Sequence, residues 1–392
     1  MRVSAGINDD GVARFARVVK CVDDCAFAAV LHRPYFDAEL AREFCDRFID
    51  LRQRLTAVDL RIAFTEQIEI RSVDDEHAHA LAFAGRKRRP WGKTAGMPDL
   101  LISASAPEAG FSIVAGITTD LVRETQARHE LSPTATAAVG RLVTGAALLG
   151  AGLKGRERIS LQISGSGPLR SIVADAWLLD DERIGARGFA KVPHADLPLN
   201  ERGKFDVAAA VGHGSMQVTK SHEAGQPYVG IVPLHSGEIA EDIASYLVNS
   251  EQIPSVVALG VLADPNGVKA AGGVIAQLLP GADERAVAAL EERALLMPPI
   301  TKMIAEGSDA HALLHALAGP AQLRAHRTVD VRFACRCTRE KVETALLGLG
   351  ADELRKMARE RTETEATCEF CKKMYVFTSD EVVELATRLR KA

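Results

Sequence analysis

The chain has 392 residues, 47% hydrophobic and 26% charged, with a formal net charge of -4. This is globular composition, with room for one to three domains and a sizeable core, and it excludes a disordered chain, a collagen-like repeat and a disulfide-dense mini-protein. The slight negative charge and an aromatic content of 5% argue against a polyanion-binding cation or a base-stacking platform.

The start of the chain lacks an export signal, because Asp9 and Asp10 stand where a signal peptide needs an apolar run. The most apolar stretch, Ala137 to Leu153, carries Arg141 and is too short to span a bilayer. The expectation is a soluble cytoplasmic protein with no membrane partner. Residues 1–96 hold 13 Arg and 3 Lys against 15 acidic residues. A helix is predicted within Ala38 to Leu55, with Leu40, Phe44, Ile49 and Leu51 on one side. The basic Gly85 to Gly96 stretch reads as a linker, and Met97 follows it.

From Phe111 the texture changes. Ser112 to Thr118 is β-branched and short, a strand. Ser132 as N-cap and Pro133 at the first helical position open a helix that is expected to run to Lys154 and stop at Gly155. Arg158 to Ser164 alternates apolar and polar residues, a half-buried strand, and Leu169 to Ala176 returns beside it after the Gly165-Ser-Gly167-Pro168 turn. More short strands follow to about Leu279. Asp283 to Leu296 and Ile300 to Leu317 read as two modest alanine-rich helices, separated by Pro298-Pro299 and closed by Gly319-Pro320. Such helices are marginal unless docked. The order of elements is α+β.

Seven cysteines fall into two groups, Cys21, Cys25 and Cys45 near the start and Cys335, Cys337, Cys368 and Cys371 near the end. An odd count without an export signal is not a secreted disulfide framework. Arg332 to Cys337 is predicted as a strand, which places Val331, Phe333, Cys335 and Cys337 on one face. Cys368-Glu-Phe-Cys371 is a turn of the kind that wraps two sulfurs around one ion. Four thiolates at this spacing suit tetrahedral zinc; unliganded thiols and a purely structural zinc stand as the alternatives. Helices are expected over Arg339 to Leu349 and Asp352 to Arg361, then a strand over Lys373 to Thr378 and a closing helix capped by Ser379. Arg336, Arg339 and Lys341 read as a solvated face, and Cys21 with Cys25 lacks the partners to complete a metal site.

No catalytic constellation accompanies these features. Gly165-Ser-Gly167-Pro-Leu-Arg170 lacks the third glycine of a dinucleotide loop, the histidines lack HExxH spacing, and neither a Gly-x-Ser-x-Gly elbow nor a Walker P-loop is present.

Cys335-x-Cys337 and Cys368-x-x-Cys371, with Leu346-Leu-Gly-Leu-Gly350 between them, resemble the redox-regulated 33 kDa chaperonin family, a heat-shock holdase. Upstream matches occur in the family's order: Thr134-Ala-Thr-Ala-Ala-Val-Gly140-Arg141, Gly165-x-Gly167-Pro168, Ile172-Val-Ala-Asp175-Ala, Tyr246-Leu-Val-Asn-Ser-Glu-Gln252-Ile-Pro254 and Gly272-Gly273-x-x-x-Gln277-x-x-Pro280-Gly281. The resemblance covers residues 111–392. It implies an α+β chaperone core over 97–280, a metastable helical linker over 281–330 and a C-terminal redox-switch domain over 331–392. It also implies one zinc ion held in the reduced state by Cys335, Cys337, Cys368 and Cys371. Oxidation would form the disulfides Cys335–Cys337 and Cys368–Cys371, and the oxidised homodimer would bind unfolding client proteins without ATP. It implies no enzymatic activity and no nucleic-acid partner. The competing reading is a constitutive zinc-ribbon protein that binds nucleic acid or a protein partner. Residues 1–96 lie outside the resemblance and read as a lineage-specific appendage or, preferably, as a start assigned too far upstream of Met97. The intact mass of the natively expressed protein checks this: the short start predicts a chain beginning near Met97, and a full-length mass refutes it.

Overall fold

The computed structural model describes residues 68–71 and 98–389, apart from 202, 224, 265 and 283. The helix expected within Ala38 to Leu55, the Gly85 to Gly96 linker and Cys21, Cys25 and Cys45 lie outside the described residues. The described elements are β1 (Ile68–Arg71), β2 (Leu100–Ala106), β3 (Phe111–Ile117), α1 (Thr119–His129), α2 (Pro133–Gly150), β4 (Arg158–Gly165), β5 (Ser171–Asp180), β6 (Arg183–Ala190), α3 (Val207–Val211), β7 (Gly214–Ser221), β8 (Tyr228–Pro233), α4 (Ile239–Asn249), β9 (Ser255–Asp264), β10 (Gly267–Leu278), α5 (Glu284–Leu296), α6 (Ile300–Ala305), α7 (Ala310–Ala318), β11 (Arg324–Phe333), α8 (Arg339–Leu347), α9 (Ala351–Glu360), β12 (Glu363–Cys368), β13 (Met374–Thr378) and α10 (Ser379–Arg388). The α+β class expected from the sequence is the class observed.

These elements form two compact units. The larger, Phe83–Arg336 with Phe370–Lys372, is built on a ten-stranded sheet in the order β8-β7-β4-β5-β6-β11-β2-β3-β10-β9. Its pairings are antiparallel except for β6 with β11, which run parallel. Helix α2 covers one face. Ser132 caps it by accepting from the Ala135 N–H, and Ala, Val and Leu all round its surface bury it almost completely. It ends at Gly150, four residues short of the expected last turn at Lys154, where the Ala151 N–H turns back to the Leu148 carbonyl. Its apolar side chains pack with Ile159, Leu161 and Ile163 of β4 and Ile172 and Ala174 of β5.

The second face of β2, β3 and β10 is covered by α5, α6 and α7. There Ile102, Phe111, Ile113 and Val274 meet Leu290, Ile300, Ile304, Leu313, Leu314 and Leu317. Strands buried on both faces read as continuous small and apolar runs rather than as alternation. The single helix expected over Ile300 to Leu317 is two helices. Gly307 takes a φ of +98°, which an L side chain rarely adopts, and Asp309 caps a new start by accepting from the Ala312 N–H. Strand β11 runs across the 330/331 boundary and pairs with β2 on one side and β6 on the other.

The smaller unit comprises Cys337–Glu369 and Lys373–Ala392, and β1 belongs to it. It holds a three-stranded sheet, β1-β12-β13, in which Ile68 stands opposite Cys368. Val342, Leu346, Leu354, Tyr375, Phe377 and Leu385 form its core. Helix α10 is capped by Thr378 rather than Ser379: Thr378 and Glu381 form a reciprocal capping box one residue earlier.

Close packing in the larger unit makes one glycine a sensitive position. A Cβ on Gly188 of β6 would stand 2.4 Å from Val143 Cγ2 on α2 and 2.7 Å from the Val173 carbonyl oxygen on β5. The side chain can shift and the backbone oxygen cannot do so cheaply. We therefore expect Gly188→Ala to destabilise the protein by about 1–3 kcal/mol, the usual cost of overpacking. Thermal unfolding checks this, and an unchanged midpoint would contradict it.

Candidate metal centre

The first pair of cysteines leaves the end of a strand rather than lying on one. β11 stops at Phe333, the Ala334 N–H donates to the Ala186 carbonyl at 3.1 Å, and residues 334–338 have no regular structure until Thr338 caps α8. The expected strand through Cys337 is thus two pairs of residues too long. Beyond Ala334 no β-sheet partner continues, and the two cysteines sit in the connection. The second pair is set by a tight turn. Cys368 ends β12, its N–H donates to the Lys373 carbonyl at 3.0 Å, and Lys372 takes a left-handed φ of +55°.

The structure brings all four expected residues together. The sulfurs of Cys335, Cys337, Cys368 and Cys371 lie within 4.8 Å of one another, the last two buried and the first two half-buried. Tetrahedral zinc with Zn–S bonds of about 2.3 Å needs sulfurs spaced about 3.8 Å apart. An all-sulfur set is soft and excludes magnesium or calcium as the preferred ion. The residues present therefore fit a zinc site. Tyr375 donates its hydroxyl to Cys337 Sγ at 3.3 Å.

Within the larger unit, the segment around Cys335 and Cys371 rests on groups that sequence reasoning did not single out. Asp175 of β5 is fully buried. Its Oδ1 accepts from Arg158 Nη2 at 2.7 Å, and its Oδ2 accepts from Arg187 Nε at 2.9 Å and Nη2 at 2.8 Å. Burial pushes the Asp175 carboxyl up, but Arg158 and Arg187 together outweigh it and hold it below the usual range. Arg187 Nη1 donates to Cys335 Sγ at 3.1 Å, and its guanidinium lies 3.6 Å from the centre of the Phe370 ring. Phe370, inside the Cys-x-x-Cys turn, is buried edge-on against Phe189 at 4.9 Å. Its carbonyl accepts from His129 Nε2–H at 2.9 Å, and the Cys371 carbonyl accepts from Arg128 Nη1 at 3.2 Å. Arg336 lies over Trp177, while Arg339 pairs with Glu381 and covers Phe377. Arg336 and Arg339 are thus packed on aromatic rings, not merely solvated. The one local signal for this network was a charged residue in an otherwise apolar strand, Asp175 among Ile172, Ala174 and Ala176.

The Hsp33 protein family matches residues 99–378. The chain belongs to the Hsp33 family. It is 39% identical over 291 residues to the 33 kDa chaperonin of Geobacillus sp. (strain WCH70), covering 74% of this chain and 97% of that protein. It is 42% identical over 291 residues to the 33 kDa chaperonin of Bacillus velezensis, covering 73% and 98%. The crystal structure of the Thermotoga maritima 33 kDa chaperonin superposes with a TM-score of 0.69 at 35% identity, covering 76% of this chain and all of the other. A chaperone function follows from membership of the Hsp33 family. Among the described residues no helix is long and apolar enough to cross a membrane.

Two buried titratable groups of the larger unit are shifted far from their ordinary range. Burial lowers the His129 imidazole to about 4, and burial raises the Asp99 carboxyl to about 7 although Leu121 and Asp120 N–H groups donate to it. Their signs oppose. As pH falls from 6.5 toward 4 the unfolded chain protonates His129 while the folded chain does not, so His129 costs stability on acidification. Asp99 holds its proton only when folded, so it gains stability over the same interval. Comparing wild type with His129→Gln at each pH isolates the histidine. Urea unfolding should show the wild type losing about 2 kcal/mol relative to the variant between pH 7 and pH 5. A constant difference would contradict this.

Proposed function

We propose that the protein is a redox-regulated, ATP-independent holdase that binds unfolding proteins once its clustered cysteines are oxidised. The observation that carries this reading is the convergence of Cys335, Cys337, Cys368 and Cys371 to within 4.8 Å in a chain of a chaperone family. These four residues are the proposed ligands of one zinc ion in the reduced protein. Bound zinc would keep the sulfurs as thiolates and contribute on the order of 10 kcal/mol of folding free energy. The proposed division is a chaperone core over 97–280, a linker over 281–330 and a redox-switch domain over 331–392.

The chemistry belongs to the thiolates. Peroxide oxidises one to a sulfenic acid, and its neighbour attacks that sulfur to close a disulfide. Two sulfurs give up two electrons, and the peroxide leaves as two waters after taking up two protons. We assign the pairs Cys335–Cys337 and Cys368–Cys371. Disulfide sulfurs carry no charge and are poor ligands, so both pairs leave the ligand set. The smaller unit then depends on a small apolar core, which for so short a segment is marginal. The linker opens with it. Its mobile part is α5 to α7, since β11 is paired on both sides. Their departure bares Ile102, Phe111, Ile113 and Val274 on the sheet, an apolar surface fit for unfolding clients. The protein acts in the cytoplasm, dimerises when oxidised, and carries out no catalysis.

Light scattering of a heat-unfolded client tests the reading. Peroxide-treated protein should suppress aggregation and reduced protein should not. Oxidation should release one zinc per chain, with loss of helical circular dichroism, and Cys335→Ser with Cys371→Ser should abolish the redox response. Equal suppression by oxidised and reduced protein would overturn the reading.

A further inference from the structure

Arg187 spends its guanidinium on three different partners. Two nitrogens grip one oxygen of the buried Asp175, the third donates to Cys335 Sγ at 3.1 Å, and the flat face covers Phe370 at 3.6 Å. The side chain is only 6% exposed, and Asp175 is fixed a second time by Arg158. Its partners are therefore a strand of the core sheet, a residue from the Cys-x-Cys segment, and the residue buried inside the Cys-x-x-Cys turn. A planar, permanently charged fork can serve all three at once, whereas a lysine ammonium is a point charge and cannot.

We propose that Arg187 is a positioning residue of the redox switch, holding Cys335 and the Phe370 turn to the sheet while the cysteines are reduced and letting go of Cys335 on oxidation. This rests on the redox reading above. The release follows from the charge change at the acceptor. A thiolate sulfur takes a charge-assisted hydrogen bond from the guanidinium, and a disulfide sulfur, formed by loss of two electrons per pair to peroxide, carries no charge to hold it. The Asp175 grip is untouched by that change, so the arginine stays with the sheet. The cation–π contact with Phe370 is then left to hold the turn, supported by the His129 and Arg128 bonds to its carbonyls.

Arg187→Lys and Phe370→Leu test the coupling separately, the second without touching the Asp175 pair. Two readouts are taken on the zinc-loaded full chain: amide hydrogen exchange of residues 369–372 in the reduced state, and the half-time of activation at a fixed peroxide concentration. Each variant should speed exchange and shorten the half-time at least threefold. The double variant should be no faster than the quicker single one, because both act through one contact. Wild-type exchange and half-times in both variants would overturn the proposal. So would additive shortening that tracks a fall in the global unfolding midpoint, which is the mark of general destabilisation. A wild type that peroxide never activates overturns the redox reading instead. In that case unchanged exchange in reduced Arg187→Lys still refutes the positioning role, and faster exchange upholds the anchoring of the turn.

Discussion

A carboxylate with no exposed surface is the constraint on which the cysteine region depends. Burying an unpaired charge costs several kcal/mol, and a pair survives in the interior only when its geometry is good and its remaining hydrogen-bonding capacity is used. Asp175 meets that condition with three hydrogen bonds from two guanidinium groups. Once Arg187 is committed to that carboxylate, its free nitrogen and its face have one direction to point, and Cys335 and Phe370 occupy it. The ion pair is thus less a source of stability than a means of fixing one side chain among three segments distant in sequence.

The chemistry-bearing residues were legible because their types and spacing are constrained by the ion they suit. Cys335, Cys337, Cys368 and Cys371 needed no knowledge of the fold. Local signals were equally direct where one residue satisfies a local need: Ser132 before Pro133 started a helix, and the alternation through Arg158 to Ser164 marked a strand. What was hidden is tertiary. β2 escaped notice because Leu101 faces one core and Ile102 the other, and its two serines, Ser103 and Ser105, are half-buried and buried rather than exposed. α4 and β12 lay among residues read as turns, strands or helix ends. The strand through Cys337 was drawn too long because alternation continues in sequence after its pairing partner has ended. The seat of Phe370 joins residues 128–129, 187–189 and 370–371, and no spacing rule spans such separations.

The same sheet constrains what can open. β11 alone joins the five strands ending in β6 to the four strands beginning with β2. Helices α5 to α7 are therefore held at both ends, by β10 before them and β11 after them, so a departure from the sheet would be that of a loop between fixed anchors, without unthreading it. The exposed Leu295 and Leu296 at the end of α5 show that this loop already carries apolar side chains facing solvent. Cys335 lies two positions beyond the strand that closes the sheet, so the cysteine cluster begins at the seam of the core.

That seam has a consequence for how the protein is made. A growing chain emerges N-terminus first, at about 5–20 residues per second. β2 and β6 are both complete long before their common neighbour. Between the end of β10 at residue 278 and the start of β11 at residue 324, synthesis takes on the order of a few seconds. Throughout that interval the nascent sheet is in two pieces, each with an open strand edge of the kind that recruits wrong partners. A protein of a chaperone family thus passes through a moment in its own biogenesis when it is the one in need of shelter, and that moment ends just before Cys335 and Cys337 are translated.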